Sequence, residues 1–178
     1  VFSTAKYKIH PFLTLLIASL GMGVISGLDV NFVIKTVTEG FGNTLKSIGI
    51  IIACGSIIGT FLEKTGAAKS IASKILQITG SKNSALAMNL TGSIVSIPVF
   101  CDSGFVILST LNNAINKKTG ISLSVLGTSL AAGLYATHVF VPPTPGPLAA
   151  ASIIGADVGL VLIFGLLLAI PVSVVGWF

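Results

Sequence analysis

Ser96-Ile97-Pro98-Val99-Phe100-Cys101-Asp102-Ser103-Gly104 lies at the centre of an apolar block running from Ser84 to Asn116, and the reading of that block decides the fold. The block is roughly 33 residues long, too long for one untilted crossing of a bilayer core of about 30 Å and too short for two. Pro98 removes a backbone donor and clashes with the preceding turn, and the glycine and short polar residues after it favour irregular backbone. The lysines arbitrate. Lys64, Lys69, Lys74 and Lys82 precede the block, and Lys117 and Lys118 follow it. A single crossing would put positive clusters on opposite faces, against the positive-inside tendency, whereas a dip and return leaves both on the cytoplasmic face. The block therefore reads as a re-entrant helical hairpin over 84–116, with 98–104 at its tip.

Downstream, the chain is uncharged from Gly120 to Asp157 apart from His138. Leu123 to Thr137 predicts a helical piece. His138-Val139-Phe140-Val141-Pro142-Pro143-Thr144-Pro145-Gly146-Pro147 then excludes continuous helix, because its prolines remove donors and bias their neighbours to extended backbone. Helix resumes at Leu148-Ala149-Ala150-Ala151. The stretch 122–155 is thus a discontinuous helix, and 158–178 a last span that Pro171 is expected to kink, with Phe178 beside Trp177 marking its exit from the bilayer. Upstream, spans are predicted over 11–28 and 45–62, joined by a connection from Asp29 to Asn43. Lys69 and Lys74 alternate with apolar residues over 67–79, which predicts a short interfacial helix closed by Gly80. Glycines four apart, Gly23 with Gly27 and Gly55 with Gly59, have the spacing that lets helices approach closely in lipid. The expected architecture is all-α and polytopic, with 1–178 a single transmembrane unit.

Composition agrees. Hydrophobic residues make up 53% and charged residues 8%, with a mean hydropathy of +1.01. Soluble domains carry about a quarter charged residues, so this chain lacks the polar surface to cover itself in water. The net charge of +5 does not point to nucleic acid, since the lysines fall between apolar blocks as topology signals. Cys54 and Cys101 lie in apolar stretches and read as small buried residues, not as a disulfide or metal pair. With no Ser/His/Asp set, no HExxH and no paired acids, neither an enzyme nor a cofactor site is expected. No cleavable signal peptide is expected either, and the missing initiator Met points to a piece of a larger protein.

Irregular backbone costs several kcal/mol per unsatisfied group in lipid, so it persists where it lines a cavity. Two breaks in one short chain predict one cavity with two walls. Half-helix N-termini there favour an anion, and freed carbonyls favour cations. Ser103 and Gly104 are expected at the start of the returning helix, and Pro147 and Leu148 at the start of the second half-helix. Ser103, Gly104, Thr144, Gly146 and His138 are accordingly the predicted substrate contacts. Asp102 is the one acid deep in an apolar block and the candidate proton-coupling residue, with a structural cap as the alternative. His138 is a titratable donor or a histidine packed at a helix end. Asn89, Thr91, Asn112 and Asn113 are expected chiefly to bridge helices.

The stretch 97–106 resembles the proline-Phe-acidic-Gly segment of the gluconate permease family, and 137–147 is similar to that family's Thr-His…Pro-Pro-x-Pro-Gly-Pro segment, followed likewise by alanines. The likeness extends over most of the chain from about Phe41. Cys101 stands where an aromatic is expected, and Thr144 where His is frequent, and either difference bears on substrate preference. The resemblance implies proton-coupled import of gluconate or a related small hydroxy-acid anion across the bacterial inner membrane. It also implies an ion-transporter-type fold of two inverted halves, each with a re-entrant hairpin and a broken helix, of which this chain is like one, and dimer formation. A Na⁺-coupled carboxylate carrier, a channel subunit and a truncated half that does not transport alone remain as alternatives.

Overall fold

The structure, a computed structural model, describes residues 2–177, so Phe178 lies outside the described residues. Among these the apolar runs fold as helices α1 (Phe2–Tyr7), α2 (Pro11–Ile25), α3 (Val30–Lys64), α4 (Ala67–Thr79), α5 (Ser84–Val95), α6 (Cys101–Thr119), α7 (Leu123–Phe140), α8 (Pro145–Ile154) and α9 (Val158–Trp177). A 3-10 turn over Ser81–Asn83 joins α4 to α5, and no strand occurs among the described residues. The chain divides into two units, residues 1–47 and 48–178, with α3 running through the boundary.

In the first unit, Pro11 occupies the first turn of α2, where its missing amide costs nothing, and His10 Nδ1 accepts from the Phe12 amide at 3.3 Å. α2 is 15 residues, about 22 Å long, which is short of a full hydrocarbon core of about 30 Å. The stretch expected as a connection over 29–43 is helix instead. Asp29 Oδ1 accepts from the Phe32 amide at 3.1 Å and starts α3, and no proline follows to stop it. Phe12 and Phe41 meet with their rings tilted by 60° and centroids 5.9 Å apart. Gly23 lets Val33 lie against it, where a Cβ would come within 2.6 Å of Val33 Cγ1.

The second unit is organised by α5, α7 and α9. Gly92 faces the Leu130 carbonyl, and Gly133 faces the Asn89 carbonyl so closely that any Cβ there would collide with it. At this crossing Asn89 Nδ2 donates to the carbonyls of Ser129 and Ser173, each at 3.2 Å, and Ser173 Oγ donates to Asn89 Oδ1. Asn89 thus bridges three helices. α9 runs antiparallel to α7: Gly165 abuts Phe140, and Gly176 abuts Ala132. α4 rests Ala68 and Ala72 on a core that includes Met88, Leu108, Leu130 and Leu134. Gly120 ends α6 in a left-handed conformation (φ 75°), which turns the chain straight into α7.

The outer surface is apolar. On α9, Ile163, Phe164, Leu167, Ile170 and Val175 are all more than half exposed. Val30–Lys64, Leu123–Ile154 (taking α7 and α8 together) and Val158–Trp177 are long and apolar enough to cross a membrane. Contiguous apolar surface on this scale belongs in lipid. This is an all-helical integral membrane protein, and α9 passes through Pro171 without interruption.

Candidate functional site

Both predicted breaks are present, and they meet. α5 stops at Val95, the chain turns through 96–100, and α6 starts at Cys101. α7 stops at Phe140, a cis Pro142–Pro143 bond lies in the turn, and α8 starts at Pro145. From the Asn89–Gly133 crossing, α5 and α7 run in the same direction, so both chains reach their breaks side by side. A small space of about 10 Å³ remains between them, lined by Gly55, Ile97 to Phe100, Pro143 and Thr144. It is about the size of one water.

α3 supplies the floor. Gly59 lies against the Pro98 carbonyl, and a Cβ on Gly55 would sit 2.9 Å from Pro143 Cγ. The four-residue glycine spacing therefore serves close contact at both breaks, with the backbone of Pro98 at one and the ring of Pro143 at the other. Gly165 of α9 abuts Phe140 at the same level, about 10 Å along α9 from Val158 and about 18 Å from Trp177. The breaks consequently sit well inside the length of α9 and not at its end.

The predicted residues separate into distinct roles. Ser103 and Gly104 are third and fourth in α6, which begins two residues earlier than expected. Gly104 is buried against Leu134, whereas Ser103 is half-buried. Asp102 is exposed in the first turn of α6, where a carboxylate interacts favourably with the helix dipole, and the Cys101 thiol points at its Oδ1 from 3.7 Å. Thr144 is buried and already donates to the Val141 carbonyl at 2.7 Å, so its hydroxyl holds the turn together. α8 begins at Pro145, two residues before the expected Pro147. Since Pro145 and Pro147 carry no amide hydrogen, exposed Gly146 is the first free donor of that helix. No side chain of the N-cap residue covers the first-turn amides of either α6 or α8.

His138 sits in the last turn of α7 with its ring edge-on to Phe100, centroids 6.2 Å apart. Its Nδ1 and Ser96 Oγ are buried without a hydrogen-bond partner among the described residues, at a cost of about 1–3 kcal/mol each unless something else supplies one. One residue escaped the sequence reading. Tyr135, three positions before His138 on the same face of α7, lies between Leu134, which packs on Gly104, and His138, which meets Phe100, and so stands near the first turn of α6 with Cys101 and Asp102. A phenol three residues from a histidine in an uncharged helix was the available clue. Cys54 and Cys101 are free thiols, and among the described residues no three His, Cys, Asp or Glu side chains gather as metal ligands.

Residues 1–177 match the profile described as GntP family permease. The chain belongs to the GntP permease family. Its relatives in that family include a gluconate permease of Pseudomonas aeruginosa, 36% identical over 96% of this chain and 38% of that protein. The inner membrane permease YgbN of Escherichia coli K12 is 38% identical over 97% of this chain and 38% of its own length. The D-serine transporter DsdX of Escherichia coli O6:H1 is 37% identical over 99% of this chain and 39% of that protein. The chain thus spans little more than a third of the length of these GntP relatives. No solved structure matches it.

Proposed function

We propose that this chain forms one wall of the substrate path in a secondary transporter that imports gluconate or a related small hydroxy-acid anion together with protons across the bacterial inner membrane. The observation that carries the reading is the meeting of the two breaks beside the uncapped start of α6 and the single free amide of Gly146. Such donors favour a carboxylate. The facing wall is supplied by the remainder of a GntP protein, either a second inverted half or a second copy.

Coupling follows from the position of Asp102. An ionised carboxylate in the first turn of α6 competes with an incoming anion for the same amides and repels it. Protonation removes that repulsion, so proton and anion bind cooperatively, and each raises the affinity for the other by the same factor. Cys101 and Tyr135 are the titratable groups beside it. The names of the relatives support the substrate class, since gluconate and D-serine both combine a carboxylate with at least one hydroxyl.

The test is uptake of radiolabelled gluconate, D-serine and glycerate by a permease carrying this chain, with pH and Na⁺ varied independently. Proton symport gives accumulation that strengthens as external pH falls and ignores Na⁺. Accumulation that requires Na⁺ replaces it with the sodium-coupled reading, and non-saturable flux without accumulation makes the protein a channel.

A further inference from the structure

Tyr135 is 54% exposed in the middle of a membrane-spanning segment, twelve positions and about 18 Å from the start of α7. Tyrosine ordinarily favours the membrane interface, where its hydroxyl meets water. At this depth a phenol hydroxyl needs a polar partner. Its neighbours in α7 set its place: Leu134 packs on Gly104 and His138 meets Phe100, so the phenol lies by the first turn of α6, where the Cys101 thiol, a weak acceptor, and the carboxylate of Asp102 are the polar groups at hand. A phenol donates one hydrogen bond and accepts others, so Tyr135 keeps capacity that its protein neighbours do not use. It stands beside the first turn of α6, at the place where the transport reading seats a carboxylate.

We infer that Tyr135 reads a hydroxyl of the bound acid, and so separates hydroxy acids from acids of equal length that lack hydroxyls. The inference rests on the transport reading and adds a residue and a chemical criterion to it. A carboxylate on the α6 amides leaves the carbons beyond it facing α7, where Tyr135 and then His138 follow at successive turns. Sites built to hydrogen-bond a hydroxyl reject analogues without one strongly, because the site's own polar group is then left unpaired. Apolar contacts alone do not discriminate in this way.

The experiment compares wild type and Tyr135→Phe in the full-length permease, with gluconate as substrate and hexanoate as a competing acid that lacks hydroxyls. The expected result is a gluconate KM raised about 10-fold or more in Y135F, the loss of one hydrogen bond, with inhibition by hexanoate unchanged. A gluconate KM equal to wild type overturns the inference, as does an equal shift for both acids, which would make Tyr135 a shape-setting residue only. A second measurement needs no variant. Gluconate should slow nitration of Tyr135 by tetranitromethane, read by mass spectrometry, while hexanoate should not; equal nitration with either acid also overturns it. Wild type that takes up none of gluconate, D-serine or glycerate fails at the transport reading itself, and that outcome is distinct from normal uptake with an indifferent Y135F.

Discussion

At the scale of single residues, the transport proposal turns on Asp102. If its carboxyl couples proton to anion, Asp102→Asn imitates the protonated form permanently. The dependence of gluconate uptake on external pH that proton symport gives wild type should then be absent from D102N. Accumulation against a gradient should be lost, although downhill exchange persists. Counterflow and net uptake in the same vesicles separate the two, and undiminished accumulation by D102N removes Asp102 from the coupling step. Asp102 and His138 stand out as candidates in the sequence because a charge or an imidazole is conspicuous in apolar surroundings. The roles of Thr144 and Gly104 were not legible there. Whether a hydroxyl faces a cavity or closes its own turn onto the Val141 carbonyl depends on a rotamer, and whether a glycine opens to substrate or receives Leu134 depends on helix rotation. Neither leaves a mark in composition.

At the scale of elements, prolines announced both breaks, and the structure moved each helix start by only two residues. The long α3 was harder to read. Charged and polar residues over 29–43 suggested a loop, yet a capping aspartate and the absence of proline suffice to carry helix through it. Glycine stripes were ambiguous for a different reason: spacing alone does not say what lies opposite. Gly133 packs on the Asn89 carbonyl, and Gly59 on the Pro98 carbonyl. A methyl at Gly133 must push α5 away from α7 and strain the hydrogen bonds of Asn89. Gly133→Ala should therefore cost about 1–3 kcal/mol or more, with a lower Tm in detergent, whereas Gly127→Ala on the same helix meets open space and should leave the Tm unchanged. Equal Tm values for the two variants would show that the crossing adjusts freely.

At the scale of the whole molecule, the lysines and the packing agree. α4 and the turn over Ser81–Asn83 both contact α6, and Ile115 near the end of α6 joins Ala68 and Ala72 of α4 in one cluster. The hairpin therefore begins and ends near the same group of lysines, which supports re-entry over a single crossing. Cysteines introduced at Lys82 and Lys118, in a background lacking Cys54 and Cys101, should react with a membrane-impermeant maleimide from the same side of sealed vesicles. Labelling from opposite sides would establish a crossing. Membrane residence and the helical class were legible from hydropathy alone, because a surface of isoleucine, leucine and phenylalanine has no other stable home. What hydropathy could not provide was the level at which the breaks meet, which emerges only once α5 and α7 are seen side by side.

The two prolines around Gly146 have a consequence for how such a permease is dissected. They silence the neighbouring amides, so α8 presents its dipole through one main-chain hydrogen, and a Cβ at that position meets nothing within 4 Å. Exchanging side chains along this turn leaves that hydrogen in place. A conventional alanine scan would pass over the position in silence, and only backbone chemistry, an ester in place of the Gly146 amide, would test whether that hydrogen meets an anion.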